Sequence, residues 1–227
     1  MAENYGKIRI TKDGPYLVSG SIPLMEKIVV PLGNAYEYKD GRVFSILEEY
    51  ALCRCGKSKN MPFCDGSHGE TEFDGTETAS REHYESRAEF RKGPDLDLMD
   101  DHRCSLSRFC HQQDGKVWEL VKFSDRGKYR EQAIRGASEC PAGRLTAVDK
   151  HGNRMEPVYE PSIVLLQDPE RQVSAGIFVR GGIPIEAVDG EVYEVRNRVM
   201  LCRCGASKNK PFCDARHIPS NFNDDMD

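Results

Sequence analysis

The chain has 227 residues, room for one large domain or two to three small ones that bury enough surface to fold unaided. Charged residues make up 30% and hydrophobic ones 38%, and 32 Lys plus Arg against 37 Asp plus Glu leave a net charge of −5. That balance argues against nucleic acid as a partner, and no apolar run approaches the roughly 18 residues of a membrane span.

In chain order, the opening stretch MAENYGKIRI shows no basic, apolar or Arg-rich targeting pattern, so the expected compartment is the cytoplasm. Asn34 and Asp40-Gly41 signal loops or hairpin turns within LGNAYEYKDGR. Tyr84, Ser86, Ala88 and Phe90 alternate with Glu85, Arg87, Glu89 and Arg91, which predicts a strand ending before Gly93-Pro94. Residues 117–123 read as a second strand and 128–138 as a short helix, with Ala133, Ile134 and Ala137 on one face. Gly136 weakens that helix, and Pro141 lies just beyond it. Residues 145–149 and 162–167 read as further strands around the Gly152-Asn153 turn, giving a small α+β module. Short strands broken by Gly181-Gly182 and Asp189-Gly190 follow, and the acidic tail FNDDMD is expected to be disordered.

The nine cysteines fall in three groups: Cys53, Cys55 and Cys64; Cys104, Cys110 and Cys140; Cys202, Cys204 and Cys213. A reducing cytoplasm disfavours disulfides, so metal ligation is the leading reading. The outer groups belong to an internal repeat: CRCGKSKNMPFCDGSH at 53–68 aligns without a gap on CRCGASKNKPFCDARH at 202–217. Upstream, SGSIPLME at 19–26 pairs with RGGIPIEA at 180–187, with extra residues between in the first copy. Two copies are too few for a solenoid, so each is expected to carry half of a shared core, as an intrachain pseudo-dimer.

Each copy reads C-x-C-x8-C-x3-H. The C-x-C pair can put two thiolates on one metal, and Cys64 and His68 would share one side of a helical turn capped by Asp65. Pro62 and Pro211 stiffen the approach, while Gly56 and Gly205 allow tight folding against an inorganic centre. Three cysteines and a histidine also suit tetrahedral zinc, although C-x-C is tighter than the usual zinc knuckle. Unligated structural cysteines are the remaining alternative.

The two segments resemble the CDGSH iron–sulfur (NEET) family, whose signature is C-x-C-x2-(S/T)-x3-P-x-C-D-G-(S/A/T)-H. The first copy meets it at Cys53, Cys55, Ser58, Pro62, Cys64, Asp65, Gly66, Ser67 and His68. The second meets it at Cys202, Cys204, Ser207, Pro211, Cys213, Asp214 and His217, with Ala215 and Arg216 in place of Gly and Ser. The resemblance implies a [2Fe–2S] cluster in each copy. One iron would be held by Cys53 and Cys55 and the other by Cys64 and His68, with Cys202, Cys204, Cys213 and His217 repeating the pattern. It also implies a β-sandwich cap, built here by the two copies of one chain. Three thiolates leave such a site less negative than an all-cysteine one, so its potential should lie above the roughly −400 mV of plant-type ferredoxins. Reduction should couple to protonation of the histidine, which would also loosen its iron bond. Arg216 beside His217 adds a cation, which favours a higher potential and a lower histidine pKa at the second site.

Cys104, Ser107, Cys110 and Cys140-Pro141 resemble a bacterial-type ferredoxin motif with serine at the second cysteine. CPAGRL is similar to the ending of divergent single-cluster ferredoxin domains. Three thiolates favour [3Fe–4S] over [4Fe–4S], with His111 a weak further candidate. No P-loop, nucleophile elbow, zincin or Rossmann fingerprint supports a substrate-converting site.

The sequence therefore predicts a mainly β protein with an α+β insert: a first CDGSH domain over 1–80, a ferredoxin-like insert over 81–170 and a second CDGSH domain over 171–227. The expected function is electron transfer by a monomeric, non-enzymatic, cytoplasmic multi-cluster protein that meets redox partners or apo iron–sulfur acceptors, and no membrane. A cluster carrier or redox and pH sensor is the first alternative, and a zinc-stabilised interaction module the second.

Overall fold

Ile8 and Ile10 alternate with Lys7 and Arg9, and Tyr16 and Val18 with Leu17 and Ser19, so β1 (Lys7–Ile10) and β2 (Tyr16–Ser19) each bury one face. In the computed structural model, which describes residues 6–224, these strands pair antiparallel in a four-stranded sheet. Its outer members are β5 (Glu49–Leu52), beside β2, and β13 (Ile185–Glu186), from the second repeat and parallel to β1.

A five-stranded sheet lies against it in the order β14 (Arg198–Leu201), β12 (Val173–Arg180), β11 (Ser162–Asp168), β3 (Leu24–Leu32), β4 (Ala35–Val43). Strands β3 and β11 run parallel, so strands from both halves of the chain meet in both sheets. One core fills the gap between them: Ile8, Ile10, Tyr16 and Leu24 pack with Ile163, Leu165, Ile177 and Leu201. Neither repeat has a core of its own.

All of β11 and β14 and nearly all of β12 are buried, because the far face of this sheet is covered too. Val164, Leu166, Phe178 and Met200 form a second apolar layer with Tyr38 and Tyr159. The middle module lies over it. There β7 (Leu96–Asp100) runs between β6 (Glu89–Arg91) and β10 (Leu145–Asp149), and a short ladder joins β8 (His111–Gln112) to β9 (Gly115–Lys116). Helix α3 (Gly127–Ser138) and the single turn α2 (Val117–Leu120) bury Ala133, Ala137, Val117 and Leu120 against Leu96, Leu98 and Leu145. The chain is mainly β with a few short helices.

Several local readings change. Residues 84–87 form a helical turn, α1 (Tyr84–Arg87), with strand only from Glu89. Tyr84 is pinned by its N–H to Glu194 Oε2 (2.6 Å) and by the Arg196 guanidinium 3.5 Å above its ring, and these tertiary contacts override the alternation. Residues 117–123 are helical, α2 running into a 3-10 turn; Val117, Leu120 and Val121 are buried at helical rather than strand spacing. Gly136 sits inside α3 because a Cβ there would lie 2.6 Å from Val117 Cγ2. The strand over 162–167 belongs to the five-stranded sheet and not to the insert's sheet; its unbroken aliphatic run Ile163–Leu166 suits burial on both faces. Asp40-Gly41 lies within β4, and the hairpin turn falls at Gly33-Asn34. The tail is ordered through Phe222 and Asp224, both buried, while residues 225–227 and the opening residues 1–5 lie outside the described part.

Arg198 joins insert to sheet. It is 1% exposed and donates to the carbonyls of Ala137, Ser138 and Cys140 at 2.7–2.8 Å, to Leu145 O at 3.2 Å and to Glu156 Oε1 at 2.6 Å. It thus satisfies carbonyls at the end of α3 that would otherwise be buried without donors. Arg198→Met is expected to lower stability by about 3–5 kcal/mol, because Glu156 and four carbonyls lose their partner. Urea unfolding of the variant measures it, and a loss below about 1 kcal/mol would contradict this role.

Candidate metal centres

The two repeat loops are built alike. Cys53 N–H donates to Pro62 O and Cys202 N–H to Pro211 O, each at 2.8 Å. Cys64 N–H reaches Ala51 O at 2.9 Å and Cys213 N–H reaches Met200 O at 2.8 Å. These bonds clamp each loop to the end of β5 or β14. Ser58 and Ser207 close the intervening turns by donating to Phe63 O (2.6 Å) and Phe212 O (2.7 Å). Both proline bonds, Met61-Pro62 and Lys210-Pro211, are cis.

The donors come in pairs. Sγ of Cys53 and Cys55 lie 3.7 Å apart, and those of Cys202 and Cys204 3.6 Å apart. Cys64 Sγ is 3.4 Å from His68 Nδ1, and Cys213 Sγ is 3.4 Å from His217 Nδ1. Two thiolates on one tetrahedral ion, each about 2.3 Å from it, stand about 3.8 Å apart, so each pair has the bite of a chelate. Among the described residues no group of three or more His, Cys, Asp or Glu closes on a single ion. Each pair is therefore spaced to hold one metal between its two side chains.

Cys64 and His68 are not on an α-helix. Asp65 makes the turn instead, accepting from Lys59 N–H (2.8 Å) and Ser67 N–H (3.0 Å); the Ser67 hydroxyl, then these two N–H groups, hold its carboxyl far below the usual carboxylate range. Only a 3-10 turn, Ser67–Glu70, follows. Asp214 repeats the device with Lys208 N–H (2.9 Å) and Arg216 N–H (3.3 Å). The residue after each Asp is left-handed: Gly66 has φ 91° and Ala215 φ 68°.

The thiols are strongly perturbed. Burial, then charge on Cys53, pushes Cys55 up to about 11, and burial drives Cys213 higher still. The hydrogen bond with Cys204 instead lowers Cys202 to about 7, and a positively charged inorganic core would favour loss of the protons from all of these thiols. His217 is 2% exposed; burial and then Arg203 push its pKa down to about 4, which keeps the imidazole neutral as a ligand must be. Arg216 is not among these causes, for it is exposed and faces Asp214 at 3.4 Å. His68 is only half-buried.

The middle group also converges. Burial, then charge on Cys140 and Cys104, pushes Cys110 up to about 12, and burial raises Cys140. The backbone winds through left-handed conformations at His102, Leu106 and Arg108, the kind of reversal that turns N–H groups into an anion-binding concavity. Leu106 N–H points to Cys104 Sγ at 3.3 Å. Ser107 is buried, with its hydroxyl on Ser105 Oγ at 2.9 Å. Arg144 lies against Cys104 and holds Asp100 by two bonds, at 2.6 and 2.8 Å, while Trp118 Nε1 donates to the same carboxylate. His111 is half-buried, its pKa lowered by burial and then by Lys116.

Sequence reasoning passed over the residues supporting these donors. The arginine between each cysteine pair, Arg54 and Arg203, is 2% exposed in both copies; its recurrence as C-R-C was the available signal. Tyr16 reaches from the first half to bond Cys202 O (2.8 Å) and Pro211 O (3.2 Å). Arg103, beside Cys104, lies 4.5 Å over the ring of Phe212, beside Cys213, and so joins insert to second loop.

Two family patterns match the chain. "Iron-binding zinc finger CDGSH type" matches residues 13–69 and 176–218, and "Divergent 4Fe-4S mono-cluster" matches residues 91–150. CDGSH iron-sulfur domain-containing protein 2 homologs of Drosophila grimshawi and Drosophila erecta are 64% identical over 28 residues, as is a CDGSH iron-sulfur domain protein of Drosophila melanogaster. The match spans 12% of this chain and 21% of each relative. No solved structure matches. The chain thus carries an iron-binding CDGSH-type domain in two segments and a divergent 4Fe–4S mono-cluster domain. The preference for a three-iron centre in the insert gains no support from that second match.

Ala215 carries the strain that Gly66 avoids, since the left-handed region costs a side-chain-bearing residue about 1–2 kcal/mol. Ala215→Gly is expected to stabilise the second loop by about 0.5–1 kcal/mol despite the added freedom of the unfolded chain, read as a higher urea midpoint.

Proposed function

We propose that this chain, with two CDGSH segments around a divergent 4Fe–4S mono-cluster domain, is a multi-cluster iron–sulfur protein that carries electrons. The observation behind this reading is the donor geometry: sulfur–sulfur and sulfur–nitrogen pairs at 3.4–3.7 Å, two pairs per loop, within the segments that match the iron-binding pattern. Cys53 with Cys55 and Cys64 with His68 would hold one [2Fe–2S] centre, and Cys202 with Cys204 and Cys213 with His217 the other. A bound two-iron centre supplies one reversible electron. The protein's part is to hold it rigidly, shield it and set its charge surroundings. The shared core and the reciprocal strands support an intrachain pseudo-dimer with a β-sandwich cap, complete within one chain.

In the insert, Cys104, Cys110 and Cys140 would hold a third centre in a ferredoxin-like module. The family match favours four irons; the absence of a fourth cysteine, with Ser107 tied to Ser105, keeps a three-iron form as the second reading. Each two-iron donor set would fill both of its irons with side chains, whereas a four-iron centre on Cys104, Cys110 and Cys140 would leave one iron without a cysteine; we read the chain as a carrier and not an enzyme on the strength of the two-iron sets. Its partners would then be soluble redox proteins or apo iron–sulfur acceptors. Among the described residues no helix is long and apolar enough to cross a membrane. A specific observation favours cluster transfer as the rival: His68 is half-buried where His217 is sealed, so one donor set can be approached from outside.

Electron paramagnetic resonance on the anaerobically purified full chain tests this reading. Cys104→Ala should abolish one signal and leave the signals of the two-iron centres intact; unchanged spectra would remove the third centre. A signal in the oxidised protein marks three irons there, and one only after reduction marks four. Rapid handover of iron and sulfide to an apo-ferredoxin, faster in His68→Gln than in His217→Gln, would make transfer the main role.

A further inference from the structure

The repeat continues beyond its last histidine. Phe73 and Phe222 stand at matching places after the two motifs, and each ring lies beneath the buried arginine of its own C-R-C, 5.6 Å from Arg54 and 5.5 Å from Arg203. Two residues on, the copies part: the first has Gly75 and the second Asp224. Arg54 donates to the carbonyls of Thr11 (3.3 Å) and Gly75, and among the described residues no carboxylate comes within ion-pair distance of it. Arg203 also donates to carbonyls, Ala175 O at 2.7 Å and Leu166 O at 3.1 Å, but its remaining nitrogen is paired with Asp224. The Asp224 side chain is 3% exposed; Gln167 Nε2 donates to it at 3.1 Å, and its own N–H donates to Ser174 Oγ at 3.0 Å.

We propose that Asp224 is a tuning residue for the second donor set: by neutralising Arg203 it lowers that site's reduction potential, an offset the first site lacks because Gly75 replaces it. The proposal rests on the iron–sulfur reading above. Gaining an electron adds negative charge between Cys202, Cys204, Cys213 and His217, and a bare guanidinium within the C-R-C turn would favour it. The Asp224 carboxylate offsets that cation inside the protein, where charges are weakly screened. Arg216, which suggested a raised potential at this site, is 42% exposed and faces Asp214, so it counts for less. In the first half Glu77 and Asp74 sense Arg54 but neither pairs with it: Glu77 lies 3.8 Å from Arg81, and Asp74 is exposed and turned to Thr76 N–H at 2.9 Å.

Redox titration of the full chain followed by paramagnetic resonance tests this, with His68→Cys as a background that separates the first site's signal. Asp224→Asn should shift the second midpoint upward and leave the first unmoved, and Asp224→Glu should restore it toward the parent value. Gly75→Asp brings a carboxylate toward Arg54, but a Cβ there lies 2.7 Å from Arg54 Nη1 and 2.9 Å from Asp13 Cα, so it is read only at full iron content, where it should shift the first midpoint downward; if Asp224→Asn fails to load, Asp224→Glu carries the test, its second midpoint staying at the parent value. A second midpoint unmoved by Asp224→Asn at full iron content, or both midpoints moving together, overturns the proposal alone. Absence of iron and sulfide from the parent protein overturns it together with the reading it rests on.

Discussion

The structure depends on a reciprocal contact between two glycines and two cysteines. A Cβ on Gly56 would lie 2.6–3.0 Å from the carbonyl group and Cα of Cys204, and one on Gly205 would strike the backbone of Cys55 in the same way. Both glycines also have φ near +75°, 73° and 75°, which side-chain-bearing residues adopt only with strain. Two copies of one loop therefore meet back to back, each requiring the other's bare backbone. The shared core and the parallel pairing of β3 with β11 follow as ways of holding this meeting in register.

Around it the halves are alike in design and unlike in surroundings. Tyr16 from the first half braces the second loop, and Thr78 and Ala79 donate their N–H groups to Lys210 O. The insert meets the second loop through Arg103 on Phe212 and the adjoining sheet through Arg198 beneath α3, and it meets β4 of the first half through Phe109 stacked on Tyr38 at 4.0 Å. The matching ring in the first copy, Phe63, meets only aromatic edges from Phe44 and Tyr50 among the ring contacts of the described residues. His217 is closed in by Arg203, Asp168 and the chain at Phe222, whose N–H donates to His217 O at 3.0 Å, while His68 is half-buried. A duplicated site in one chain has drifted into a buried member and an accessible one, and every difference traces to a neighbour and not to the ligands themselves.

The pairing of Cys53 with Cys55 and of Cys64 with His68, and its repeat in the second loop, was legible because the motif is local: sixteen contiguous residues bring these side chains together. Helix α3 and strand β10 were legible for the same reason, from periodicity within a short window. What escaped was set at a distance. β11 reads as the next strand of the insert, yet its partners are β3, far upstream, and β12. Tyr84 alternates like a strand residue until Glu194 and Arg196 fix it in a turn. Residues 117–123 were misread for a different reason, since Val117, Leu120 and Val121 already carried helical spacing beneath a β-branched start. Asp224 looked like part of a disordered acidic tail because its partner, Arg203, is hidden in the C-R-C turn.

The central claim is that each loop grips a pair of bridged irons with three sulfurs and one imidazole. Mössbauer spectroscopy on iron-57-enriched protein, with acid-labile sulfide measured on the same sample, addresses it most directly. The account predicts spin-coupled two-iron centres at both loops, with sulfide matching iron there. Colourless protein holding zinc at the same positions, with no sulfide, would contradict it.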